Sequence, residues 1–229
     1  MSLMKFADFR DYEARTFASI REHLKPGDLV YDVGAYEGLT SGFLAEIVGA
    51  PNVVMIEPAE ANWGNIKSYW EQNGLEMPRA TFAGFMQDID NRMTDPDQTV
   101  HIGKWPRESG NPVLHRELLQ FRWLHYKSVD EGTFNRPALT IDTMTKLLGP
   151  PKGILMDVEG AEFLAVKGGE QTFRNHHPFL WISVHPQFMK ERFGHDQESL
   201  RLFMNALGYT GTLLCSDQED HWLYQAEVK

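Results

Sequence analysis

The chain has 229 residues, 42% hydrophobic and 24% charged, which excludes bulk disorder, a collagen-like repeat and low complexity. Its 32 acidic and 22 basic side chains give a formal charge of −10, and such a surface repels phosphate backbones, so no nucleic-acid partner is expected. The one cysteine, Cys215, excludes a disulfide scaffold, and no run resembles a membrane span or a secretory signal, so the expectation is a soluble cytoplasmic enzyme or binder with no membrane partner.

Phe9, Glu13, Phe17, Ile20 and Leu24 share one helical stripe, which predicts a leading helix within residues 1–27, stopped by Lys25-Pro26-Gly27-Asp28. The main domain then runs over residues 28–229. Leu29-Val30-Tyr31-Asp32-Val33 reads as a short buried strand feeding a glycine-containing turn. Phe43, Leu44 and Ile47 mark the next helix, closed by Gly49 and Pro51. Val53–Ile56 is the second strand, and Trp63, Ile66 and Trp70 mark a helix capped at Gly74. The third strand is expected over Ala80–Met86.

Regularity breaks down over residues 88–139, around Asp95-Pro96, Trp105-Pro106 and Ser109-Gly110-Asn111-Pro112. The stretch is too long for a plain connection and predicts an insertion with its own strands. Leu119, Phe121 and Trp123 alternate there with Gln120 and Arg122, as a half-exposed strand does. Ile154–Val158 is a strand again, followed by a helix through Phe163, Val166 and Lys167. Phe179–Val184 is another strand, and Leu200, Phe203, Met204 and Leu207 mark a helix ending at Gly208. Tyr209–Cys215 and His221–Ala226 read as an antiparallel edge hairpin joined by the polar turn Ser216–Asp220. Alternating strands and helices of this kind predict an α/β domain around a mostly parallel sheet.

Asp32-Val33-Gly34-Ala35-Tyr36-Glu37-Gly38 joins the first strand to a helix, the place where open α/β sheets bind ligands. The G-x-x-x-G spacing lacks the middle glycine of a dinucleotide fingerprint, and Asp32 and Glu37 would repel a pyrophosphate. S-adenosylmethionine has no phosphate. Asp32 or Glu37 suits its ammonium, and helix N-terminal amides suit its carboxylate. Glu57, at the end of the second strand, suits both ribose hydroxyls, and Gly84, Phe85 and Asp88 are placed to flank an adenine. A glycine-bearing turn with no ligand, an ordinary helix N-terminal acid before Pro58 and a core Phe85 also fit these residues.

Three segments together resemble the FkbM family of S-adenosylmethionine-dependent methyltransferases: Val30–Ser41, Met55-Ile56-Glu57-Pro58, and Ile154-Leu155-Met156-Asp157-Val158-Glu159-Gly160-Ala161-Glu162. Leu139-Thr140-Ile141-Asp142 resembles the T-L-D element that precedes the third. The resemblance implies a class I methyltransferase Rossmann-like three-layer sandwich, with a mostly parallel seven-stranded sheet and an antiparallel edge strand. It also implies S-adenosyl-L-methionine as cofactor and O-methylation of a sugar, glycan or natural-product-like small molecule. The donor-binding set is then Asp32, Gly34, Ala35, Tyr36, Glu37, Gly38, Ser41, Glu57, Pro58 and Phe85. Two departures stand out: Tyr36-Glu37 replaces the family's usual Asn-aliphatic pair, and Ser183-Val184-His185 replaces its frequent Glu-x-His.

Methyl transfer from a sulfonium requires nucleophile, methyl and sulfur in line, and an alcohol nucleophile must also lose its proton. Asp157 or His185 is the expected proton acceptor and Glu159 the substrate-orienting group, all at strand ends on the donor's rim. A capped strand-to-helix turn supported by Glu162 explains the same Asp157-Val158-Glu159-Gly160 run. None of the nine histidines forms a zinc spacing, so they read as scattered surface residues and no metal is expected; an ion on Asp157, Glu159 or Asp142 lacks support. Between His101 and Lys127, basic residues interleave with Trp105, Phe121, Trp123 and Tyr126, which fits a substrate lid or a solvated hairpin packed by its own aromatics. The alternatives to a methyltransferase are an NAD-linked oxidoreductase and a non-catalytic binding module on a methyltransferase fold.

Overall fold

The computed structural model describes residues 11–90, 99–106, 127–128, 132–133 and 136–227. In chain order its elements are α1 (Asp11–His23), β1 (Val30–Val33), α2 (Leu39–Val48), β2 (Val53–Ile56), α3 (Glu60–Gln72), β3 (Ala80–Phe82), β4 (Phe85–Met86) and β5 (Val100–Ile102). There follow β6 (Lys127–Ser128), β7 (Gly132–Thr133), β8 (Ala138–Leu139), α4 (Ile141–Leu148), β9 (Gly153–Asp157), α5 (Glu162–Lys167), α6 (Glu170–His176) and β10 (Phe179–Val184). The described chain ends with α7 (Pro186–Phe193), α8 (Gln197–Ala206), β11 (Tyr209–Ser216) and β12 (Asp220–Ala226).

Every residue of β1 and β2 is buried, so these valine-rich strands lie inside a sheet covered on both faces. Period-two alternation then divides the core. Tyr31, Val33, Val54, Ile56, Ile154 and Met156 face the helices α4 to α8 through Met144, Ala165, Phe173 and Met204. Val30, Val53, Met55 and Trp181 face α1 to α3 through Ile20, Phe43, Ile66 and Trp70. The result is the expected three-layer sandwich. α1 is tied to the sheet as well as packed on it, since Trp181 Nε1 donates to Ser19 Oγ at 3.0 Å.

Among the described residues the sheet has eight strands in the order β11-β12-β10-β9-β1-β2-β3-β5, one more than the seven expected. β1 pairs in parallel with β2 and β9, β9 with β10, and β2 with β3. The hairpin read from the tail is present, with β12 antiparallel to both β10 and β11. The additional strand is β5, which comes from the stretch read as an insertion and pairs antiparallel to β3 at the far edge. The single strand expected over Ala80–Met86 is two: after Phe82 the chain leaves the sheet, and Phe85–Met86 pairs in parallel with Ala138–Leu139. The alternating run Leu119–Trp123, and most of the stretch read as a lid, lie outside the described residues. The helices α4, α6 and α7 were not anticipated.

Candidate active site

The sheet changes direction at β1, which has β2 on one side and β9 on the other. That switch point opens a crevice at the carboxyl ends of the strands. Gly34 turns the chain away from β1 with φ 95°, and a Cβ there would lie 1.8 Å from the Asp157 carbonyl oxygen. No other residue type fits, so the turn after β1 and the end of β9 are in backbone contact.

On the β1–β2 side two carboxylates are buried. Asp32, 2% exposed, accepts from the Thr40 hydroxyl at 3.0 Å and from the Ser41 hydroxyl. Glu57, 5% exposed, accepts from the Tyr36 N–H at 2.9 Å and the Ala59 N–H at 2.7 Å. Burial pushes Asp32 up to about 6 against its two hydroxyl donors. Burial also pushes Glu57 up to about 7, with the Asp32 charge adding to the rise and the bonds from Ala59, Tyr36 and Asn62 opposing it. The groups that oppose these rises are the Thr40 and Ser41 hydroxyls at Asp32 and backbone N–H groups and the Asn62 amide at Glu57.

The remaining expected donor residues divide by position. Gly34 and Ala35 both donate backbone N–H bonds to Ile56, at 2.9 and 3.0 Å, which locks the turn over β2. Tyr36, with φ 47°, is 64% exposed, and Glu37 beside it is exposed. Gly38, with φ 84°, precedes α2. Ser41 is fully buried and donates its hydroxyl to Asp32. Pro58 accepts from Arg136 Nε at 2.9 Å through its carbonyl. Phe85 is half-buried on β4.

On the β9–β10 side the structure gathers the three expected catalytic residues with others the sequence did not point to. His185 Nδ1 lies 2.7 Å from Glu162 Oε1, its Nε2 touches Glu219 Oε2, and the same Nε2 is 3.7 Å from Asp157 Oδ1. Desolvation alone would lower the His185 pKa, but the bonds to Glu162 and Glu219 and the Asp157 charge raise it to about 11. Desolvation and then the Glu219 charge push Asp157 up to about 8, although its side chain is 47% exposed and solvent moderates the rise. Glu159 has φ 54°, a strained conformation for a side-chain-bearing residue, and its carbonyl accepts from Arg192 Nη1 at 2.9 Å.

Glu162, Asp217, Glu219 and His221 were not assigned to the site from sequence, although Glu162 stood in the recognised motif. His221 Nε2 lies 3.6 Å from Glu219 Oε1 and 3.7 Å from Asp217 Oδ2, so the hairpin turn closes over the end of β10. His185 and His221 are 11% and 8% exposed in their side chains, which corrects the reading of scattered surface histidines.

The family described as the methyltransferase FkbM domain matches residues 32–210. No curated protein matches the chain. Among solved structures, methyltransferase FkbM from Methylobacillus flagellatus is similar at TM-score 0.53 and 17% identity over 95% of this chain, which spans 55% of the length of that one. A Streptococcus mutans chain assigned to the methyltransferases, solved in complex with SAH, aligns at TM-score 0.55 and 10% identity over 95% of this chain and 98% of its own. An rRNA methylase from Streptococcus thermophilus aligns at TM-score 0.51 and 10% identity over 100% of both chains. These likenesses agree with the α/β fold found here. With the family match running from Asp32 through the end of β9 to the start of the hairpin, the chain belongs to the FkbM methyltransferase family.

Proposed function

We propose that this chain transfers the methyl group of S-adenosyl-L-methionine to a hydroxyl oxygen of a sugar, glycan or natural-product-like small molecule. The observation that carries this reading is the pair of buried carboxylates at the switch point, Asp32 and Glu57, held by hydroxyls and backbone N–H groups. Charge on such groups is costly to bury without a counter-charge, and a phosphate-free adenosine with a cationic amino-acid end supplies one. Glu57 takes the ribose hydroxyls, the ammonium lies between Asp32 and Glu37, and Phe85 flanks the adenine. Gly34, Ala35, Tyr36, Gly38 and Pro58 shape the walls, and Ser41 fixes Asp32.

The acceptor enters over Asp157, Glu159 and His185. Its oxygen attacks the methyl carbon as the carbon–sulfur bond breaks, and the electron pair of that bond passes to sulfur, giving S-adenosylhomocysteine. Both ring nitrogens of His185 are engaged by carboxylates, whereas Asp157 is half-exposed, so Asp157 takes the acceptor's proton and His185 holds it in place. Glu159 orients the acceptor. Incubation with methyl-labelled donor and a panel of hydroxylic small molecules, glycans and RNA tests this. Label on a small molecule or glycan is the expected result, and label on RNA alone would contradict it.

A further inference from the structure

Strand register places Asp157, Ser183 and His221 side by side across β9, β10 and β12. The residues just beyond this row converge: Asp157, His185 and Glu219 each offer one ligand atom within 4.8 Å of the others, and Asp217, Glu219 and His221 do the same. We propose that this cluster is a divalent transition-metal site, with Asp157, His185 and Glu219 as ligands and His221 and Asp217 holding Glu219 from behind.

Three observations beyond the residue types support it. The 3.7 Å between His185 Nε2 and Asp157 Oδ1 is too long for a hydrogen bond, and the same Nε2 touches Glu219 Oε2, a contact that an ion held by all three would replace. The 3.7 Å is near the ~3.4 Å between two ligands that each sit ~2.1 Å from one tetrahedral ion. Each histidine also has its inner nitrogen anchored, His185 Nδ1 by Glu162 at 2.7 Å and His221 Nδ1 by Ser183 Oγ at 3.0 Å. That leaves both Nε2 atoms aimed at Glu219, the arrangement by which outer partners orient metal-binding imidazoles. Finally, Glu162 is 0% exposed and its Oε2 has no hydrogen-bond partner among the described residues. A buried carboxylate behind His185 calls for positive charge on the ring, which either a proton or an ion on its far nitrogen supplies.

The mixed imidazole and carboxylate set suits Mn²⁺, Fe²⁺ or Zn²⁺ better than Mg²⁺ or Ca²⁺. The exposed half of Asp157 leaves room for a ligand oxygen from outside. An acceptor hydroxyl bound there becomes more acidic, and its proton passes to the carboxylate oxygen of Asp157 not on the ion. This acceptor role rests on the proposed function; the binding of the ion does not.

Chelator-treated full-length protein is titrated with Mn²⁺ while free Mn²⁺ is followed by electron paramagnetic resonance. Saturation at one ion per chain is expected, and His185→Asn and Glu219→Ala should each weaken binding by about tenfold or more. S-adenosylhomocysteine affinity in the same samples reports whether each variant is folded. Absence of saturable binding, or parental affinity in folded Glu219→Ala, would overturn the site. Saturable binding with no change in methyl transfer would confirm the ion and overturn its acceptor role.

Discussion

At the ends of β1 and β2, acids are buried singly and held by hydroxyls and backbone N–H groups, as Asp32 and Glu57 are. At the ends of β9 and β10, acids surround an imidazole, with Glu162, Glu219 and Asp157 around His185. The first arrangement leaves negative charge to be met by a ligand that brings cationic and hydroxyl groups. The second collects groups that move protons or hold ions. The two rims meet at the close approach of Gly34 to the Asp157 carbonyl, so one sheet brings both groups of acids to a single crevice.

The strongest way to break that contrast is to push the rims apart. Gly34→Ala puts a Cβ 1.8 Å from a backbone oxygen at φ 95°. Strain and clash of about 2–3 kcal/mol should lower the thermal midpoint by about 5–10 °C, and calorimetry should find no S-adenosylhomocysteine binding. Asp157→Asn acts on one rim alone. Turnover should fall by about 10²-fold or more in a labelled-methyl assay, while S-adenosylhomocysteine affinity stays near that of the parent. Glu57→Gln acts on the other rim, and titration should show donor affinity weaker by about 1–3 kcal/mol.

The smallest effect sharpens the contrast through pH. Folding raises Glu57 from 4.5 to about 7 and Asp32 from 3.8 to about 6. Across those intervals the folded chain binds more protons than the unfolded one, so the two groups favour folding at acid pH and lose that contribution as pH rises through their folded values. Ribose hydroxyls and an ammonium favour the charged carboxylates, so donor binding should release protons. Affinity should rise several-fold between about pH 5 and 8, as read by titration in buffers of different ionisation enthalpy. The Asp32 charge adds to the rise at Glu57, so the two titrations are linked.

The sheet was legible wherever strands are short, apolar and bounded by glycine or proline, as with Val53–Ile56 and Phe179–Val184. β5 was not, because its three residues, Val100, His101 and Ile102, follow an irregular stretch and gain meaning only by pairing with β3. The break inside Ala80–Met86 is also tertiary in origin: a Cβ on Gly84 would meet the Pro137 carbonyl at 2.4 Å, a contact set by distant chain. α4 carries a readable stripe in Ile141, Met144 and Leu148, but with eight residues it offers little more than two turns of periodicity.

The same division runs through the site. Asp32, Glu57 and Asp157 lie at strand ends, where sequence position alone predicts a place on the rim. Glu219 reaches His185, and His221 lies behind Glu219, because β12 returns antiparallel beside β10, which pairs Ser183 with His221. Composition and spacing do not encode that register. His221 gave one local signal, a histidine opening an alternating strand, and that is insufficient to pair it with His185.

Side-by-side calorimetry of the parent, Glu57→Gln and Asp157→Asn with S-adenosylhomocysteine tests the division of labour most directly. Micromolar one-site binding to the parent and to Asp157→Asn, with a clear loss in Glu57→Gln, is the expected result. Binding of NAD in place of S-adenosylhomocysteine, or equal loss in both variants, would contradict it.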